Sequence, residues 1–227
     1  MRTDLETDWE IPPTPAGLTG RLERFMGPGK SPAESVVEGV GGALCALLLA
    51  AGVWSSDALR DWSAVQIVIV ALAGLDLVGG ILTNATNAAK RWYHREDPRA
   101  RRGRLVFVSA HLGHLAAMGL LVLDGDWAWL LGNAGLLLAG AVVVEFAPLE
   151  LRRPVAMAVW TSAVVVNLFW LTVPDALLWF APLFFLKLLV CHLVPEAPLR
   201  RRTAADDRGS VADGLGRAAA ERGSADD

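Results

Sequence analysis

Asp76, His111, His114, Lys187 and His192 are the residues whose types and settings could do chemistry, because each lies inside a long apolar run. Ionisable groups at membrane depth are costly, so they need partners or a task. Asp76 sits in IVIVALAGLDLVGGILTNATN, and His111 and His114 sit in LVFVSAHLGHLAAMGLLV. Three apart on a helix, the two imidazoles share a face and can reach one metal ion, as such pairs do in helix-bundle metal sites. Counted at ~1.5 Å per residue from the connector joining the two runs, Asp76 and both histidines lie ~10–15 Å in on antiparallel neighbours. One carboxylate and two imidazoles suit a divalent ion (zinc, iron or manganese), with a coordination position left open for water. The plainer alternative is that all three only hydrogen-bond neighbouring helices.

The last apolar run, WFAPLFFLKLLVCHLVPE, adds Lys187 and His192. Lys187 either snorkels to the inner interface or serves as counter-ion to Asp76. His192 is a further metal ligand or pairs with Glu196 at the interface. A b-type haem needs imidazoles facing each other from two helices, so His111 and His114 cannot share one. One of them with His192 is the remaining pairing, and haem b ranks last among the cofactors. On a helix at ~100° per residue, Asp76, Gly80, Thr83, Asn87 and Lys90 fall on one face, and His94 rejoins it if the helix runs that far. Gly79 and Gly80 permit a close approach beside Asp76.

These residues need elements to hold them. Hydrophobic residues make up 53% of the 227 and charged ones 20%, which is the pattern of long apolar blocks with polar connectors. Six runs approach the ~20 residues that cross a bilayer: 36–54, 63–86, 104–123, 127–147, 154–172 and 176–194. The sequence therefore predicts an all-α, polytopic helical bundle of about six transmembrane helices. It divides into a disordered or interfacial segment 1–35, a six-helix domain 36–196, and a disordered tail 197–227 rich in Ala, Gly, Asp and Arg. The polar, proline-containing start has no signal-peptide core. No internal repeat of the transporter kind is visible.

Lys and Arg cluster in the second connector (Lys90, Arg91, Arg95, Arg99, Arg101, Arg102, Arg104), the fourth (Arg152, Arg153), and after the last run (Arg200, Arg201, Arg202), against Arg60 alone on the other side. This asymmetry predicts both termini in the cytoplasm of a plasma-membrane protein. Trp54, Trp62, Trp127, Trp129, Trp170 and Trp179 are expected as a belt at the outer interface. The strong preference for Arg over Lys is the composition of a GC-rich bacterial genome. Cys45 and Cys191 fall at different depths, so no disulfide is expected between them. Glu145, near the cytoplasmic end of its run, opposes the helix dipole and is expected to be answered by Arg152 or Arg153. Asn133 and Asn167 are expected to hydrogen-bond between helices.

The partners this sequence points to are the lipid bilayer and a lipid or isoprenoid ligand. The basic connector is short and carries only Trp92 and Tyr93 as aromatics, which gives nucleic acid no support. A metal-dependent enzyme acting on a lipid or isoprenoid from a cytoplasm-facing site is the leading reading. A proton-coupled transporter is the next, with Asp76, Lys187 and the histidines as relay. Its outer half would have only Asn133, Asn167, Thr161 and Ser162 as lining. A scaffold whose polar groups merely hold helices together is the third. Oligomeric state is not written in the sequence.

Overall fold

The computed structural model describes residues 5–95 and 98–201. Apart from one short strand pair, the regular elements of the described chain are all helical. In order it runs β1 (Leu5–Thr7), α1 (Gly17–Met26), α2 (Pro32–Ser55), α3 (Ala64–Ala85) and α4 (Asn87–Tyr93). It continues with α5 (Arg99–Val122), α6 (Trp127–Phe146), α7 (Arg152–Phe169), α8 (Asp175–His192) and β2 (Leu199–Arg201). Five helices, α2, α3, α5, α6 and α8, are long and apolar enough to cross a membrane. The remaining predicted run, 154–172, is present as α7, but it opens on Arg152, Arg153 and Pro154 and ends at Phe169. Trp170, Leu171 and Thr172, expected within it, have left the helix. Its apolar stretch is correspondingly shorter than the ~20 residues of a full crossing.

Local sequence explains where the helices begin. Ser31 with Glu34, and Ser63 with Gln66, form reciprocal capping boxes that open α2 and α3. Asp126 accepts from the Trp129 amide at the start of α6, and Thr86 accepts from that of Ala89 at the start of α4. Thr86 is extended, with ψ 150°, so α3 stops at Ala85. The face expected to continue through Asn87 and Lys90 to His94 is therefore broken: Asn87 and Lys90 belong to a separate helix, and His94 lies just past its end.

The core is built around α8. Phe180, Phe184, Phe185, Leu188 and Leu189 are fully buried there, packed against α3, α6 and α7. Its polar exceptions, Lys187 and His192, are buried as deeply as the leucines. By contrast α2 lies at the edge against α3, with Val53 its one buried residue. Asn167 donates to Asn133 at 2.8 Å between α7 and α6, as expected. The six tryptophans expected to form a belt differ in exposure. Trp54, Trp127 and Trp170 are exposed, whereas Trp129 is buried against Phe180, its ring centroid 5.8 Å away.

The N-terminal segment, expected to be disordered or interfacial, carries β1 and α1 and packs on the second connector. Tyr93 donates its hydroxyl to the Phe25 carbonyl at 2.6 Å, and Arg91 reaches Asp8 at 2.6 Å. Gly27, with φ 97°, lies so close to the Ala88–Ala89 backbone that a Cβ there would collide with it. β1 pairs antiparallel with β2, Leu5 opposite Arg201. The first residues of the expected disordered tail thus include a strand, and residues 202–227 lie outside the described residues.

Much of the basic connector is turned inward rather than toward lipid. Lys90 donates to the carbonyls of Cys191 at 2.6 Å and Val194 at 2.8 Å. His94 Nε2 donates to that of His192 at 3.0 Å. Both therefore cap the C-terminal end of α8, where orphan carbonyls and the helix dipole favour cationic or N–H donors. Arg104 grips the buried carboxylate of Glu145 through two contacts, at 2.5 and 3.2 Å. Arg101 adds a third at 3.5 Å. This corrects the expected pairing of Glu145: Arg152 reaches only its backbone carbonyl, at 2.8 Å. Arg153 instead pairs with Glu196 at 2.9 Å.

Candidate metal centre

Three helices bring the polar group together, and two of them are irregular where they do so. Asp76 lies midway along α3, a regular helix. His111 sits at a break in α5, where the α-helical ladder is interrupted for one residue and the His114 amide bonds back to the His111 carbonyl at 3.0 Å. Lys187 lies in a π-helical stretch, Leu186–His192, that ends α8. Such departures from α-helix are frequent at functional sites because they re-aim side chains that a regular helix would carry past one another.

Asp76, His111 and His114 each offer one ligand atom, and all three atoms lie within 4.8 Å of one another. Asp76 Oδ2 is 3.1 Å from His114 Nε2 and 3.7 Å from His111 Nε2. Donors held at ~2.0–2.1 Å around a tetrahedral zinc would stand roughly 3.3 Å apart, so the first two separations are close to what coordination requires. His111 Nδ1 lies 2.8 Å from the Phe107 carbonyl. A carbonyl only accepts, so the proton is on Nδ1 and the Nε2 lone pair points into the site. That is the usual second-sphere arrangement of a ligating histidine. The two imidazoles stack, centroids 4.9 Å apart and planes 14° from parallel.

Lys187 completes the group. Its Nζ lies 2.6 Å from Asp76 Oδ2 and 2.9 Å from His111 Nε2, and its side chain is 2% exposed. It does not snorkel, and the counter-ion alternative is the one realised. Gly80, one turn beyond Asp76, makes this possible, because a Cβ there would collide with the Lys187 stem. Gly79 meets nothing within 4 Å, so only one of the two glycines serves the approach. The carboxylate and His114 are 39% and 31% exposed, whereas Lys187 and His111 are closed in. The open side of the site is thus the Asp76–His114 edge, between α3 and α5.

His192 stands apart from the three candidate ligands. Its Nδ1 lies 3.1 Å from Asn84 Oδ1, which makes Nδ1 the donor. The ring stacks on Phe107 at 4.3 Å and meets Tyr93 edge-on at 5.0 Å. Its Nε2 is buried without a protein partner. Neither expected role, fourth metal ligand or partner of Glu196, is realised: Glu196 pairs with Arg153 and lies 3.9 Å from Lys90. Phe107 separates His192 from His111, whose centroid is 4.6 Å away on the same ring. Thr161 and Ser162 are exposed on α7 and do not line an inner path.

The one participant that spacing alone could not assign is Phe107, whose carbonyl orients one histidine while its ring screens another. Its position four residues before His111 was a usable signal, since a side chain's i−4 carbonyl is always within reach on a helix. Comparison with protein-family models, with curated proteins and with solved structures returns no match for this chain.

Proposed function

We propose that this protein is a multi-pass membrane enzyme in which Asp76, His111 and His114 hold a zinc, iron or manganese ion and act on a lipid or isoprenoid substrate. The observation that carries this reading is the convergence of three ligand atoms within 4.8 Å, one of them on a histidine whose tautomer is fixed by a backbone carbonyl. The set leaves a coordination position for water, and a metal there lowers the pKa of that water enough to supply a nucleophile. The partly exposed Asp76–His114 edge lies between two apolar helices, which suits a substrate arriving from the bilayer rather than from bulk water. The arginine-rich connectors support a reading in which the inner side and both termini lie in the cytoplasm of a plasma-membrane protein.

A second reading has its own observation. The Lys187 ammonium already sits 2.6 Å from Asp76, where it neutralises the carboxylate without any metal. A proton-coupled transporter, or a scaffold stabilised by this buried pair, follows from that contact. The deciding measurement is elemental analysis and visible absorbance of the purified protein in detergent, beside Asp76→Ala and His111→Ala. Near-stoichiometric metal, lost in both variants, supports the enzyme. Metal-free, colourless protein that stays folded sinks it and leaves the ion-pair readings.

A further inference from the structure

We infer that the bundle holds one hydrocarbon chain of a bilayer lipid in an apolar cavity between α2 and α3, apart from the candidate metal centre.

The cavity measures about 400 Å³. Leu59 and Trp62, from the connector joining the two helices, and Trp179, from the first turns of α8, share its lining. Its space comes from small side chains: Ala46 and Ala50 of α2, and Ala71 and Gly74 of α3, line it where leucines would fill it. The three helices converge at Gly74, where a Cβ would come within 2.9 Å of Leu49 and 3.6 Å of the Trp179 ring. Asp76 is two residues further on, ~200° around the helix, and turns to α5 and α8 instead.

Water is a poor occupant. The volume has room for roughly a dozen waters at ~30 Å³ each, but water in a cavity needs polar partners. The lining side chains offer only the indole N–H groups of Trp62 and Trp179, and that of Trp179 is taken by the Ala176 carbonyl at 2.7 Å. Left empty, the walls would forfeit their contacts on one side.

The cavity is continuous with the surface that α2 and α3 present to lipid. Its lining includes Leu47 and Leu75, 68% and 59% exposed, on helices that also expose Leu44, Leu48, Val68 and Leu72. Val53 and Val70, 8% and 6% exposed, make its floor. A single turn of a helix ~10 Å across would already take up this whole volume, so a helix of a second copy does not enter. A peptide strand would bring in backbone polar groups that nothing here satisfies. A slender hydrocarbon chain meets both conditions, and the surrounding bilayer supplies it.

The test is photolabelling of the full chain in nanodiscs of phosphatidylcholine, a small fraction of which carries a diazirine midway along one acyl chain. Peptide mapping is expected to find label on Val53 and Val70 as well as on the exposed Leu48 and Leu72. In the double variant Ala50→Leu with Ala71→Leu, floor labelling should fall at least tenfold while Leu48 and Leu72 stay labelled. Should that variant not fold, each single change is expected to give a partial loss confined to the floor. Label on Leu48 and Leu72 alone, in the wild type, overturns the inference. So does floor labelling that survives filling, and so does a floor cross-linked to a second copy instead of to lipid. The pattern should be the same with and without added zinc, so its outcome is separate from that of the metal reading.

Discussion

Gly80 on α3 and Lys187 on α8 are fitted to one another: the missing side chain of the first is the space through which the stem of the second reaches Asp76. An alanine in a helix is ordinarily worth ~0.5–1 kcal/mol over glycine. Here Gly80→Ala is expected to have the opposite sign, because its Cβ drives the Lys187 stem away from the carboxylate. Thermal unfolding in detergent should show Gly80→Ala less stable than wild type, whereas Gly79→Ala, with open space around it, should be neutral or stabilising.

The Arg104–Glu145 pair should behave as a buried salt bridge does when one partner is removed. Glu145 is 1% exposed and holds Arg104 by two contacts. Glu145→Met leaves the guanidinium without a counter-charge and should cost about 3–5 kcal/mol, and Arg104→Met likewise strands the carboxylate. Replacing both residues by methionine should cost clearly less than the two single changes added together. Equilibrium unfolding of the four proteins in mixed detergent gives the coupling directly.

The connector makes folding sensitive to acid. Burial, with Lys90 and Arg104 close by, pushes His94 down to about 3 from its usual 6.5. The unfolded chain therefore takes up a proton near pH 6.5 that the folded chain refuses until about pH 3. His94 contributes stability that is present above pH 6.5 and lost as the pH falls toward 3. His94→Gln retains an N–H for the His192 carbonyl without the titration. The difference in melting temperature between variant and wild type should shift in the variant's favour as pH drops from 7 to 4. A gap that stays constant with pH would count against this assignment.

The hydrogen bond from Asn167 to Asn133 lies among buried apolar side chains where α7 meets α6. Asn167→Leu leaves the Asn133 amide oxygen without its partner, and the loss should be ~1–2 kcal/mol. The doubly apolar pair should recover part of it. Unfolding midpoints of the two variants decide the matter.

Composition and the spacing of apolar runs determined by themselves that the chain is helical, with helices long and apolar enough to cross a bilayer, because a bilayer imposes the same length and apolarity on every crossing. The sequence also marked Asp76, His111, His114 and Lys187, since charge at depth is rare enough to be conspicuous in a single chain. It overstated α7, where the arginines that begin the helix and the turn that ends it shorten the apolar stretch. It misplaced His192, Glu145 and His94, because their partners (Asn84, Arg104 and the carbonyl end of α8) come from elements whose rotation a linear pattern does not carry. Tertiary structure alone decided that Lys187 reaches Asp76. That contact uses a lysine in a π-helical stretch and a hollow at Gly80, two backbone features set by how the helices pack and not by the hydropathy of either one.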